Sequence, residues 1–145
     1  MTMIIQGKNR TAPPQMLPEE MAAVKNYFTE RNDVAFAYLF GSKARGTGGP
    51  LSDIDIAIYL TEGPFSEKRI EILGDLIDIL RTDNIDLILL NTASESLRAR
   101  VIRNRLILAD NLPFTRHRFE SQTMRAYMDF SKMEHRILER RYLHG

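Results

Sequence analysis

The segment Ser52-Asp53-Ile54-Asp55-Ile56-Ala57-Ile58-Tyr59-Leu60 constrains this chain more than any other. Apolar and other residues alternate along it with a period of two, which predicts a β-strand. Ile54, Ile56, Ile58 and Leu60 then share one face and fill a core, while Asp53 and Asp55 share the other. Aspartate is a poor strand former, and like charges on one face of a strand repel each other. A bound cation is the simplest relief. Ligation by carboxylate oxygens alone suits Mg²⁺ or Mn²⁺.

Asp86 repeats the pattern inside Asn84-Ile85-Asp86-Leu87-Ile88-Leu89-Leu90, a second apolar run that reads as a strand. If the two strands are neighbours, Asp86 joins Asp53 and Asp55 on one face. Three carboxylates from two strands suit a pair of metal ions, which stabilise both the attacking and the leaving oxygen at phosphorus. An aspartate near a strand end also caps loops or pairs with arginine. For Asp86 that reading stands beside the metal one.

The remaining elements follow from local pattern. Pro18-Glu19-Glu20 predicts a helix start, with Met21, Val24, Tyr27 and Phe28 at helical spacing and an end near Asn32. Val34–Phe40 is an apolar run of strand formers. Gly41 to Pro50 holds four glycines and predicts a loop, or a short helix plus a loop. Ser66 is expected to cap a helix to about Leu80, with Ile70, Leu73, Leu76, Ile77 and Leu80 as its buried stripe. Ser94 to about Arg105 is a further helix, and Leu106–Ala109 a short strand or helix end. Pro113 is expected to break the chain. Thr115 to Leu143 then forms a long helical stretch, with room for an interruption. Its Ala126, Phe130, Met133 and Ile137 are spaced to pack on the body or on another chain. The order implies an α/β (α+β) fold with a small mixed sheet flanked by helices. Three units are expected: a flexible N-terminal arm at 1–17, the main domain at 18–112 and a helical extension at 113–145.

Composition excludes several chemistries. The chain has no cysteine, which removes disulfides, zinc–thiolate sites and thiol nucleophiles and fits a cytoplasmic protein. His117, His135 and His144 all lie late in the chain, so a histidine-based metal site or triad is not expected. No apolar run is long enough to span a membrane. The net charge of +1 conceals a run of Arg98, Arg100, Arg103 and Arg105 with no acid among them. Such a run faces an acidic partner or nucleic acid, or is simply a solvated helix face, and the last is the favoured reading.

Before the Asp pair stands Gly41-Ser42. A strand ending in Gly-Ser before a sharp turn suits phosphate, because glycine lets backbone approach a ligand and N–H groups at the turn cradle anionic oxygens. Lys43 and Arg45 follow at once and can offset a triphosphate's charge. The spacing rules out a Walker A loop and a dinucleotide fingerprint.

Gly41-Ser42, ten residues, then Asp53-Ile54-Asp55 resembles the signature of the DNA polymerase β-type nucleotidyltransferase superfamily. Leu39-Phe40-Gly41-Ser42-Lys43-Ala44-Arg45-Gly46 and Ser52–Ala57 look most like its smallest members, the minimal nucleotidyltransferases, called MNT or MntA-like proteins. The resemblance spans about Pro18 to Ala109, with a weaker likeness at Tyr127-Met128-Asp129-Phe130. It implies a polymerase β-like fold with a C-terminal helical extension. Gly41 and Ser42 would hold the β- and γ-phosphates, with Lys43 and Arg45 as further phosphate contacts. Asp53 and Asp55 would bind two Mg²⁺ ions. Asp86 would bind the catalytic ion and help deprotonate the acceptor. ATP would be the substrate. Family members of this size resemble antitoxins that transfer AMP to a tyrosine of a HEPN-domain RNase toxin, so the implied partner is a HEPN toxin in a hetero-oligomer, without a membrane or direct nucleic-acid binding. The alternatives are an antitoxin that neutralises by contact alone and a nucleotidyltransferase acting on a small aminoglycoside-like molecule.

Overall fold

Every side chain of Val34–Phe40 is buried, as a strand covered on both faces requires. The computed structural model describes residues 16–46 and 53–143. The arm expected at 1–17 falls largely outside those residues, as does the segment 47–52, including Ser52. Val34–Phe40 is β1. It pairs antiparallel with β2 (Ile54–Leu60) on one side and with β4 (Leu106–Asp110) on the other. β3 (Ile85–Leu89) lies parallel to β2, so the sheet is mixed, with order β3-β2-β1-β4.

Helices cover both faces. On one face α1 (Pro18–Thr29) and α3 (Phe65–Leu80) bury Val24, Phe28, Ile72, Leu76 and Leu80 against Ile54, Ile56, Ile58 and Leu60. The isoleucine face of β2 therefore fills the core, as its alternation implied. On the other face α4 (Glu95–Arg103) and α5 (Pro113–Leu143) pack Val101, Ile102 and Phe119 against Phe36, Tyr38, Phe40 and Ala57. Phe36 stacks on Tyr59 at 5.1 Å between ring centroids, and Phe119 lies within 5.4 Å of both rings. This aromatic layer is wide and stiff, and it holds the base of α5 on the sheet.

Several local expectations change. Pro64, not Ser66, precedes the first turn of α3, and no side chain caps it. The buried stripe of α3 is Ile72, Leu76 and Leu80, and Ile70 is 67% exposed. Contacts with α1 and the turn that follows it hold the helix this way. Tyr27 donates its hydroxyl to Asp75, and Arg31 donates to Glu71 at 2.8 Å. Pro113 does not break the chain but starts α5, where its missing N–H costs no hydrogen bond. Ser94 does cap α4, accepting from the Leu97 N–H at 3.2 Å.

α5 is one helix of 31 residues, about 46 Å long. Its first turns bury Arg116, Phe119 and Thr123. From Met128 to Arg140 every side chain is exposed, and Phe130, Met133 and Ile137 face outward rather than onto the body. Among the described residues no helix is long and apolar enough to cross a membrane.

The register gathers chain ends at one edge of the sheet. Phe40, the last residue of β1, lies opposite Asp55 near the start of β2. Asp55 lies beside Asp86 near the start of β3. Leu39 pairs with Leu106, the first residue of β4, which follows directly on the last turn of α4.

Candidate active site

At that edge the chain leaves β1 and turns at once into a short helix, α2 (Gly41–Arg45). Gly41 adopts φ +73°, a left-handed conformation that side chains disfavour. A Cβ built on it would collide with the Asp55 carboxylate. Glycine is therefore required twice over, by backbone conformation and by contact with an acidic group. Gly46, at φ 72°, ends the helix.

Gly41, Ser42 and Asp55 line one cleft with Phe40, Arg100 and Asn104, with a volume of about 390 Å³. Asp55 is half-buried at its floor, on the sheet face that carries α4 and α5. Its register partner Asp86 is exposed on the same face, about one strand spacing away. Asp53 is exposed just ahead of the first residue of β2. Among the described residues neither Asp53 nor Asp86 makes a hydrogen bond or ion pair, and no three acidic or histidine side chains converge on one point. The structure thus aligns the three carboxylates along one end of the sheet without drawing them onto one point. The donor set is all hard oxygen, which fits Mg²⁺ or Mn²⁺ and no softer metal.

The basic residues divide. Lys43 is buried and engaged within the protein, and it does not line the cleft. Arg45 closes α2, and its side chain lies outside what the structure describes. Arg100, Arg103 and Arg105 are exposed, as a solvated face implies, but three members of the run also make contacts within the protein. Arg98 donates to the Leu90 and Asn91 carbonyls at 2.9 Å and covers Phe119. Arg103 lies over Tyr127, and Arg105 pairs with Glu120 at 2.7 Å. Glu120 also accepts from Tyr38, whose hydroxyl is pushed well above its ordinary pKa, first by burial and then by that hydrogen bond. Arg100 is the member that reaches the cleft. Sequence pattern singles out neither it nor Asn104 as a site residue. Their i, i+4 spacing at the end of a helix is the only sequence signal for a shared face.

A left-handed Gly-Ser turn pressed against a strand carboxylate, with a second carboxylate in register beside it, is an arrangement suited to cradling phosphate and ligating a hard cation. The chain belongs to the family described as polymerase beta, nucleotidyltransferase, whose model matches residues 22–112. No curated protein matches the chain. Among solved structures, a toxin–antitoxin with AMP-PNP shares 26% identity at a TM-score of 0.66, covering 85% of this chain and 97% of that one. A mutant of the toxin–antitoxin MntA–HpeT shares 25% identity at a TM-score of 0.66, covering 86% and 97%. A tri-AMPylated Shewanella oneidensis HEPN toxin in complex with MNT antitoxin shares 22% identity at a TM-score of 0.61, covering 82% and 96%, and supports the fold alone.

Proposed function

We propose that this nucleotidyltransferase is an antitoxin that moves AMP from ATP to a tyrosine of a cognate HEPN toxin, with Mg²⁺ as cofactor. One observation carries the reading: the Gly41-Ser42 turn, Asp55 and Asp86 share one end of the sheet, on one face and in one register. The toxin–antitoxin structure with AMP-PNP, 26% identical to this chain, supports the choice of nucleotide and of a toxin as partner.

Gly41 and Ser42 hold the β- and γ-phosphates through backbone N–H groups and the Ser42 hydroxyl. Asp53, Asp55 and Asp86 would hold Mg²⁺, which supplies positive charge against the α-phosphate and the departing pyrophosphate. The tyrosine hydroxyl attacks the α-phosphorus in line. Its oxygen–phosphorus bond forms as the bond to the β-phosphate oxygen breaks, and pyrophosphate leaves with that electron pair. Asp86, exposed and unpaired among the described residues, takes the hydroxyl proton. Phe40 and α4 wall the cleft and limit water around the phosphates.

The test is the intact mass of the HEPN protein after incubation with this chain, ATP and Mg²⁺. A gain of one or more AMP units with the native chain, and none with Asp53→Ala, Asp55→Ala, is expected. A stable complex with no mass gain would instead support neutralisation by contact, for which the outward-facing Phe130, Met133 and Ile137 of α5 offer a surface.

A further inference from the structure

Helix α4 forms the wall of the cleft opposite the Gly-Ser turn. We infer that Arg100, assisted by Asn104, binds the terminal phosphates of the incoming nucleotide and the pyrophosphate that leaves, an inference that rests on the nucleotidyl-transfer reading of this cleft.

The arginine run separates Arg100 from its neighbours. Arg98, Arg103 and Arg105 are each committed, to backbone carbonyls, an aromatic ring and a partly buried glutamate respectively. Among the described residues Arg100 has no hydrogen bond or ion pair, and it lines the same cleft as Gly41, Ser42 and Asp55. It is the one cation in the described lining of that cleft. Asn104 follows four residues later, so its amide looks into the cleft from the same side of the helix.

Charge decides what Arg100 meets. Asp55 lies in the cleft, and the exposed carboxylates of Asp53 and Asp86 make the end of the sheet beside it negative. A polyphosphate seated on the Gly-Ser turn needs cations on its outer side, where those carboxylates do not reach. A guanidinium presents a planar fork of donors that matches phosphate oxygens, holds its charge at any working pH and remains weakly hydrated. The charge on the leaving group grows as the α–β bridge breaks, so a contact at the pyrophosphate end strengthens along the reaction.

The competing role for Arg100 is local. It stands in the last turn of α4, where a cation complements the terminal carbonyls. That role needs charge but no fork and no ligand. Binding to the full chain with Mg²⁺ present separates the two. Isothermal titration with AMP-PNP, inorganic pyrophosphate and AMP is run on the native chain, Arg100→Ala, Arg100→Lys and Asn104→Ala, with Tm measured alongside. Arg100→Ala is expected to weaken AMP-PNP and pyrophosphate on the order of tenfold to a hundredfold, the range of a charged phosphate contact, while AMP changes by less than about twofold. Lysine restores part of the loss, and Asn104→Ala gives a smaller change of the same selectivity. Equal weakening of AMP and AMP-PNP, or unchanged binding with a lowered Tm, overturns the inference. Failure of the native chain to bind AMP-PNP would instead sink the nucleotidyl-transfer reading of the cleft itself.

Discussion

Two acidic clusters in this protein are built on opposite principles. Around Arg31, on the α1–α3 side, the carboxylates are met by cations. Arg31 pairs with Asp33 and Glu71 at 2.8 Å, and Lys68 reaches Asp33 at 3.3 Å. Tyr27 closes the group with a hydrogen bond to Asp75, and burial first, then that bond, pushes its hydroxyl far above the ordinary range. At the sheet edge Asp53 and Asp86 stand exposed and unpaired among the described residues, with Asp55 between them under Gly41. The first cluster ties α1, the β1 turn and α3 together. The second leaves Asp53 and Asp86 exposed, where a cation would relieve their mutual repulsion. Acidic side chains are tied into ion pairs in one place, while in the other Asp53 and Asp86 are left open to solvent and available to a ligand.

The sharpest way to break this contrast is to remove the edge carboxylates. Asp53→Ala with Asp55→Ala is expected to lower AMP transfer on the order of a thousandfold. Asp86→Asn should also abolish most transfer while leaving Tm unchanged or raised in metal-free buffer, because one repelling charge is gone. A Tm lowered by several degrees for Asp86→Asn would mean that the edge cluster is structural after all.

Gly41→Ala comes next. The substitution forces a side chain into a left-handed conformation and against the Asp55 carboxylate. Transfer should fall about a hundredfold, with a stability loss of about 1–2 kcal/mol in a denaturant titration. Loss of stability without loss of transfer would separate the turn from the chemistry.

Arg31→Ala should do the reverse. It leaves Asp33, which is only 17% exposed, with Lys68 at 3.3 Å, and removes the links to Glu71 and Asp75. A destabilisation of about 2–3 kcal/mol is expected in urea, with transfer per folded molecule unchanged.

The smallest effect is acid sensitivity. Hydrogen bonds from Arg31 hold the Asp33 carboxyl at about 2, below its ordinary 3.8, against the opposing pull of burial. A carboxyl with a depressed folded pKa stabilises fully above its unfolded value and loses that contribution as pH falls through the folded one. Allowing for solvent screening, Asp33 therefore contributes about 1–2 kcal/mol that disappears between about pH 4 and pH 2. Urea titrations across that window should show a shallower fall for Asp33→Asn, and parallel curves would remove Asp33 from the account.

Legibility follows the range of the interactions. The alternation in Ile54–Leu60 identifies a strand and its buried face, because a period of two leaves little choice when isoleucine occupies every other position. Gly41, Ser42, Asp53 and Asp55 stand out since their spacing is local to one strand–turn–strand unit. Ile70 is exposed where a buried stripe was expected, because the apolar pattern of α3 admits two neighbouring faces. Tyr27 of α1 and Arg31 just after it select between them. Pro113 reads as a break because proline opposes a helix interior, yet the same residue is well suited to a first turn.

By itself the sequence determined the strand carrying Asp55 with Asp53 just ahead of it, the turn that requires glycine, the absence of thiol chemistry and the family signature. These are properties of a few adjacent residues, decided by steric limits on backbone and by side-chain period. Tertiary structure alone decided that Asp86 lies in register with Asp55, that Lys43 is buried, and that Arg100 of four nearby arginines reaches the cleft. Each of these depends on which strand pairs with which and how a helix is rotated on the sheet. Those choices are set by burial summed over the whole core, where no short stretch of residues carries the answer.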